Sequence, residues 1–200
     1  MGRTSDAKGK LLDVAFDLIW QQSYGAVSVD DICDRAQVKK GSFYHFFPSK
    51  SDLAVAAYEE HWQQSRPRYD SLFSPQTPPL ERLENYCKRV YAGQKEKLEK
   101  TGRVLGCPFA CAGSELSTQD EKIRVKSKEM FDRMCKYIES TLVDAHKAGL
   151  IESQDFPAKS QAIFCFVLGR LLQARVSNDV EVLRDLAPTV MQMIGAQVPA

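Results

Sequence analysis

The sequence predicts an all-α protein of about nine helices. Apolar residues recur at the three- and four-residue spacing of amphipathic helices, and glycine or proline separates the segments that carry them. No segment of convincing length shows the apolar–polar alternation that marks a half-buried strand. With 44% hydrophobic and 26% charged residues in 200 positions, the composition is that of a globular protein. A packed helical fold is therefore expected.

The first two helices are indicated by their spacing and by their ends. The first carries apolar residues from Leu11 to Ile19, and Gly25 is expected just past its end. The second follows Ser28, a typical N-cap, and Asp31 three residues later completes a capping box. Its apolar residues form one stripe: Val29, Ile32, Cys33 and Ala36. The second helix is therefore short, about two turns.

A third short helix follows a break at Gln37 and Val38 and runs to Phe47, where Pro48 stops it. Aromatic residues at helical spacing are more often core than contact residues. On that basis three side chains are expected to face the core: Phe43, Phe46 and Phe47.

The fourth helix begins after Ser49, with Asp52 in a second capping box. It should reach about Leu72, and Pro67 should kink or shorten it. Five further helices are expected at residues 79–100, 108–116, 120–148, 158–176 and 180–194, the last of them kinked at Pro188.

Two short helices joined by a three-to-four-residue turn describe a helix-turn-helix, whose second helix lies in the DNA major groove. The segment from Arg35 to Lys50 contains four basic residues and no carboxylate, which is the charge that phosphates attract. We therefore predict that the protein binds double-stranded DNA through this segment.

The expected DNA contacts follow from the chemistry of the side chains. Cations for phosphates come from Lys39, Lys40 and Lys50. Neutral donors for phosphates or base edges come from Ser42, Tyr44 and His45. Gly41 allows the helix backbone to approach the duplex closely. Ser28, at a helix N-terminus, can present backbone amides to a phosphate.

The segment SVDDICDRAQVKKGSFYHFFPSKSDL resembles the DNA-binding motif of the TetR family of bacterial transcriptional regulators, and the match extends from about Thr4 to Tyr58. The resemblance implies a three-helix DNA-binding domain at residues 1–50 and a helical effector-binding and dimerisation domain at residues 51–200. It also implies a homodimer, commonly a repressor, that binds a palindromic operator and releases it when a small molecule occupies each subunit. Family members commonly contact DNA through the residues matching Ser28, Lys40, Ser42, Tyr44, His45 and Lys50.

Two residues depart from the family pattern. Gln37 stands in the turn where glycine is usual, and a positive φ there would cost about 1 kcal/mol. Phe46 replaces the more usual tyrosine, which removes one phosphate contact.

The helix AIFCFVLGRLLQARV is apolar almost all round, so it must be buried on two sides. The last helix carries a similar stripe: Val182, Leu183, Leu186, Val190, Met193 and Ile194. Two such helices from each subunit would form a four-helix bundle about a two-fold axis, which predicts a homodimer through the last two helices. The alternative is a monomer whose core is closed by the long helix at 120–148.

The segment GCPFACAGSEL suggests an alternative to reversible ligand binding. Pro108 suits the first position of a helix, which makes Cys107 the N-cap, where a thiolate gains reactivity. Short motifs here and in LGRLLQARVS resemble regulators that sense electrophiles or oxidants through a cysteine, with Arg175 placed to pair with the thiolate. The other interpretation is a structural thiol beside a hydrophobic effector pocket. The effector or sensor candidates are Tyr91, Cys107, Phe109, Cys111, Phe131 and Arg175.

Other classes of function find less support in the sequence. It has no metal-ligand cluster, phosphate-binding glycine loop or nucleophile elbow, so we expect neither an enzyme nor a metal or cofactor site. An all-helical adaptor without DNA binding is a distant alternative, but it would have no reason to keep residues 35–50 free of acids. No run approaches the roughly 18 apolar residues of a membrane span, and the uneven cysteines suit a reducing compartment. We expect a cytoplasmic protein that does not associate with membranes.

Overall fold

A computed structural model of the chain describes residues 2–152 and 155–196, with side chains from Asp6 onward. Within these ranges the chain forms nine α-helices and one 3-10 helix (Val180–Leu183), and no strand. The α-helices are α1 (Gly2–Gln21), α2 (Val29–Ala36), α3 (Lys40–Phe46), α4 (Lys50–Leu72), α5 (Pro79–Thr101), α6 (Pro108–Leu116), α7 (Glu121–Lys147), α8 (Phe156–Ser177) and α9 (Leu186–Ile194). The predicted all-α fold is confirmed. None of the described helices has the length and apolar content needed to cross a bilayer.

The helices form two compact units. Among the described residues, the first unit runs to Arg66 and also includes Pro108–Met130. The second comprises Pro67–Cys107 and the chain from Phe131 onward. Each unit is therefore built from two separate stretches of sequence, and α4 and α7 contribute to both. The division into domains at residues 1–50 and 51–200 stays a prediction.

In the first unit, α1 packs against α2, α3 and α6. Its apolar side chains, expected from their spacing, are buried: Leu11, Leu12, Ala15, Phe16, Leu18 and Ile19. Helix α2 buries Ile32, Cys33 and Ala36. Phe43 of α3 and Tyr58 of α4 are also fully buried. Since burial of a large apolar side chain contributes about 1.5–3 kcal/mol, this core fixes α2 and α3 firmly on α1.

In the second unit, both α5 and α8 pack against the 3-10 helix and against α9. Its fully buried apolar side chains include Leu83, Ile138, Leu142, Ile163, Val167 and Val190. The Arg82 guanidinium donates to the Asp144 carboxylate at 2.6 Å and to the Thr77 carbonyl at 2.6 Å. Because Arg82 is buried, these two acceptors compensate for its lost hydration.

Most helix ends follow the local sequence, and α6 begins at Pro108 and ends at Leu116 as expected. Helix α4 continues through Pro67 to its expected end, so the proline does not shorten it. The prediction for Gly25 was wrong. Helix α1 ends at Gln21, and Gly25 lies in the α1–α2 loop, residues 22–28.

The single helix expected at residues 180–194 is also a wrong prediction, because the chain breaks at Arg184 and Asp185 between the 3-10 helix and α9. Pro188 accounts for the break. In a continuous helix its ring would clash with the Arg184 carbonyl four residues earlier, to which it has no N–H to donate. At its observed place in the first turn of α9, that N–H is not needed.

Candidate nucleic-acid interface

Helix α2 starts with the predicted capping box. The Ser28 hydroxyl oxygen accepts the Asp31 backbone N–H at 3.0 Å, and the Ser28 backbone N–H donates to the Asp31 carboxylate at 2.7 Å. The hydroxyl also donates to the same carboxylate at 2.6 Å. These hydrogen bonds lower the pKa of Asp31. Ser28 is exposed, and its side chain is engaged in fixing the N-terminus of α2.

The turn between α2 and α3 spans Gln37 to Lys39 and has the length of a helix-turn-helix turn. Gln37 has φ 54° and ψ 42°, so it adopts the left-handed conformation for which glycine is the usual residue. Its N–H donates to the Asp34 carbonyl at 3.1 Å, and the Val38 N–H donates to the Cys33 carbonyl at 2.9 Å. These bonds compensate for the roughly 1 kcal/mol that a left-handed residue other than glycine costs.

Helix α3 has one buried side and one exposed side. Phe43 and Phe47 are buried and hold the helix on the first unit. Phe46 is only half-buried, so its assignment to the core was wrong; its ring lies 5.2 Å from that of His45 near the surface. Phe47 lies just past the end of α3 as its C-cap, with extended backbone (φ −134°, ψ 117°), so its ring can turn into the core while the ring of Phe46 stays near the surface.

Most of the predicted contact residues lie on the exposed side of α3 or at its N-cap. Exposed there are Lys39, Lys40, Gly41, Tyr44 and His45, and Ser42 is half-buried. Tyr44 is 53% exposed and rests one ring edge on Phe43, with the centroids 5.0 Å apart. A Cβ added at Gly41 would meet no atom within 4 Å. The fold itself therefore does not need glycine there, whereas a close-lying ligand would.

Lys50 differs in its surroundings. Its ammonium group donates to the carbonyls of Tyr24 at 2.9 Å and Val27 at 2.7 Å, and lies 3.9 Å from the centre of the Tyr24 ring. Burial lowers its pKa. Lys50 is thus directed at the α1–α2 loop. Tyr24 is 26 residues and Val27 is 23 residues from Lys50 along the chain, so the local sequence pattern does not predict these contacts.

The effector and sensor candidates are divided between the two units. Phe109 and Cys111 lie on α6 in the first unit, where the Phe109 ring packs edge-on against Tyr58 at 5.2 Å. Phe131 lies in the second unit with its ring 5.4 Å from that of Phe164. Tyr91, on α5, lines a cleft of about 260 Å³ in the second unit. The other lining residues are Cys87, Lys88, Leu183, Arg184, Leu186 and Ala187.

The connector that ends at Cys107 is held by side chains of the second unit. The Gln94 side-chain oxygen accepts the N–H groups of Leu105 at 3.1 Å and Gly106 at 2.8 Å, and its amide nitrogen donates to the Gly106 carbonyl at 3.1 Å. Arg175 donates to the Leu105 carbonyl at 2.6 Å. Gly106 has φ 69°, and a Cβ there would lie 3.4 Å from Arg175. Arg175 therefore supports the connector two residues before the thiol.

Cys107 itself is half-buried. The pKa of Tyr69 is raised mainly by burial, with a further contribution from Cys107. Within the described residues, no group of three or more His, Cys, Asp and Glu side chains is arranged to hold a metal ion.

Comparison with known proteins shows the family. Residues 11–57 match the model for bacterial regulatory proteins of the tetR family, and residues 79–189 match the LmrA/YxaF-like transcriptional regulator C-terminal domain. The chain is 30% identical to an HTH-type transcriptional regulator in the lacX 3' region of Lactococcus lactis subsp. lactis, over 95% of each chain. It belongs to the TetR family.

A second TetR-family relative is the HTH-type transcriptional repressor NemR of Escherichia coli strain K12. It is 24% identical over 95% of this chain and 94% of NemR. The crystal structure of reduced E. coli NemR has the same fold, with a TM-score of 0.83 at 23% identity, and the match covers 97% of this chain and 100% of that one.

Membership of the TetR family defines the general activity. The protein is a ligand-responsive DNA-binding transcriptional regulator, not an enzyme. TetR-family regulators bind DNA operators and typically act as dimers with small-molecule effectors.

Proposed function

We propose that this TetR-family protein is a repressor that reads a palindromic operator as a homodimer, with α3 in the major groove, and that a small-molecule effector releases it. The observation that carries the proposal is that α3 has one buried side and one exposed polar side. Phe43 is fully buried, while the opposite side presents cations and neutral donors. A helix fixed this way can enter a groove without losing its place on the protein.

The side chains divide by the chemistry of their targets. Lys39 and Lys40 neutralise phosphates, and Ser42, Tyr44 and His45 face phosphates or base edges. Gly41 lets the backbone approach the duplex. Ser28 binds a phosphate through the N-terminal amides of α2. Lys50 has one N–H left beyond its two carbonyl partners, and this is the donor we assign to a phosphate.

The dimer is supported by an apolar face of α8 that is exposed in the part of the chain that the structure describes. Exposed residues recur there every three or four positions: Ala162, Cys165, Gly169, Leu172 and Val176. Leu172 is 63% exposed and Val176 is 79% exposed, which is unusual for branched apolar side chains. Helix α9 has less apolar surface to offer, because Leu186, Val190 and Ile194 are buried in their own unit. We therefore assign the larger share of a two-fold interface to α8.

For the effector, the second unit offers the cleft beside Tyr91, which combines apolar walls with the polar ends of Lys88 and Arg184. A second candidate is regulation by reaction at Cys107. The observation that favours it is the position of this half-buried thiol directly before the first residue of α6. NemR also supports this candidate, because its crystal structure is that of a reduced form.

Selection of bound sequences from a randomised duplex pool tests the main proposal. We expect inverted repeats whose half-sites are about 10 base pairs apart, or a multiple of that, because two recognition helices must reach grooves on one side of the duplex. Enrichment of single half-sites, with one subunit bound per duplex, would contradict the proposed homodimer. Enrichment of nothing at all would contradict DNA recognition.

A further inference from the structure

We propose that Glu115 of α6 is a positioning residue for DNA binding, which clamps the α1–α2 loop and so sets the start of the helix-turn-helix. Its carboxylate accepts two consecutive backbone N–H groups, from Tyr24 at 3.0 Å and from Gly25 at 2.7 Å. The inference deepens the proposed function, since it rests on α3 reading DNA.

Lys50 completes the clamp from the other side of the loop backbone. Glu115 accepts the N–H groups of residues 24 and 25, while the Lys50 ammonium donates to the carbonyls of Tyr24 and Val27. Within residues 24–27, the negative carboxylate thus binds backbone N–H groups and the positive ammonium binds backbone carbonyls. Both are charge-assisted hydrogen bonds, which are shorter and stronger than neutral ones. Ser28, the N-cap of α2, follows immediately.

Gly25 leaves room for the Glu115 carboxylate. A Cβ at this position would lie 2.8 Å from the nearer carboxylate oxygen of Glu115, closer than a carbon and an oxygen can approach. The carboxylate would have to shift, which would disturb its hydrogen bonds to the loop. Glycine at position 25 therefore fits the clamp, and it does not mark the end of α1.

Helix α6 is itself well anchored in the first unit. A Cβ at Gly113 would lie 3.0 Å from the Ser127 side chain of α7, so the two helices are in close contact. At the start of α6, the Pro108 carbonyl accepts the Tyr58 hydroxyl at 3.4 Å, and the Phe109 ring packs on Tyr58. Glu115 therefore projects from a fixed support, which a positioning residue needs.

The surroundings of the loop argue against a direct contact of Glu115 with DNA. Burial, together with the carboxylates of Asp120, Glu115 and Asp52, raises the pKa of Tyr24 to about 12. The Glu115 carboxylate carries the same sign of charge as a phosphate, and both of its oxygens already accept N–H groups of the loop. Glu115 thus acts on DNA binding through the loop.

The sign of one substitution effect separates positioning from electrostatics. Glu115→Gln removes a negative charge from the first unit, so it should tighten DNA binding if the carboxylate acts only by repulsion. If Glu115 positions the loop, the same substitution weakens binding, by about tenfold, because one acceptor becomes a donor that faces an N–H. Gly25→Ala breaks the same clamp and keeps the charge.

The experiment measures the affinity of the full-length protein for a duplex selected from a randomised pool, at a temperature where circular dichroism shows each variant folded. We expect E115Q and G25A to bind about tenfold more weakly, and the double variant to be no weaker than either single variant, because both remove one interaction. The matched control is E121Q, which removes a carboxylate whose hydrogen bonds go to Arg124 on the same helix. It should bind as tightly as wild type.

Several outcomes would overturn the inference. Unchanged or tighter binding by E115Q would do so, as would additive losses in the double variant. If E115Q does not fold, hydrogen exchange at the Tyr24 and Gly25 amides of wild type and G25A decides: equal exchange rates would show that the clamp is not formed. Failure of wild type to select any duplex would contradict the proposed function instead, and the two failures are thus distinct.

Discussion

The ammonium group of Lys40 lies 2.7 Å and 2.9 Å from the two carboxylate oxygens of Asp30, so the first turn of α3 is tied to the first turn of α2. This hydrogen bond raises the pKa of Lys40. Both side chains are more than half exposed, and an exposed ion pair contributes little to stability. The pair therefore keeps the Lys40 ammonium group on the surface, where a DNA phosphate can replace the Asp30 carboxylate as its partner.

Lys40→Ala should weaken binding to all duplexes alike, because a phosphate contact carries no sequence information. The slope of log Kobs against log salt concentration should fall by about one unit. Fluorescence anisotropy on random and selected duplexes at several salt concentrations measures both. Lys147→Ala, at an exposed lysine in the last turn of α7, is the control and should leave the slope unchanged. An unchanged slope in K40A would exclude the phosphate contact.

Ser42→Ala or Tyr44→Phe should cost about 1–3 kcal/mol on the selected sequence if the hydroxyl reads a base edge. Each substitution should also relax selection at one base-pair position and leave the others intact, because a base contact is local. Repeating the selection with each variant measures this. Uniform loss across all positions would reassign that hydroxyl to a phosphate.

Leu172→Glu combined with Val176→Glu should convert the dimer to a monomer, since each copy would bury two charges against an apolar face. Operator affinity should fall with it, because one recognition helix alone reaches only one half-site. Light scattering after size-exclusion chromatography gives the mass. Lys136→Glu, on an exposed part of α7, is the control. A dimer that persists in the double variant would place the interface elsewhere.

Cys107→Ser tests the chemical alternative. The Arg175 guanidinium donates to the carbonyl of Leu105, two residues before the thiol. We expect Cys107 to be a structural thiol, so an alkylating electrophile should release wild type and C107S from DNA at equal concentrations. Release of wild type alone would establish Cys107 as a sensor and contradict release by a reversibly bound effector.

Local sequence was enough to predict the helices and the capping box, because both depend on residues within four positions of one another. The break before α9 was missed even though Pro188 was noted, since the proline was treated as a kink inside a helix and not as the first-turn residue of a new one. In the same way, Phe43 and Phe47 were predictable as core residues, but the partial exposure of Phe46 depended on which way α3 is turned.

The contacts that organise the candidate interface lie further apart in the sequence. Glu115 is 90 residues from Gly25, and Lys50 is 26 residues from Tyr24. The segment 35–50 contains no acid, but Asp30 reaches Lys40 from the neighbouring helix. Such pairings are set by how the helices pack, and no local pattern encodes them.

The combined variant Lys40→Ala, Ser42→Ala, Tyr44→Ala removes three side chains through which α3 is proposed to read DNA. All three side chains lie outside the buried core, so the variant should fold, as circular dichroism can verify. The measurement is the affinity of this variant for the duplex that wild type selects. We expect its affinity to fall to the level for random duplex. Retention of wild-type affinity would contradict the assignment of α3 as the recognition helix.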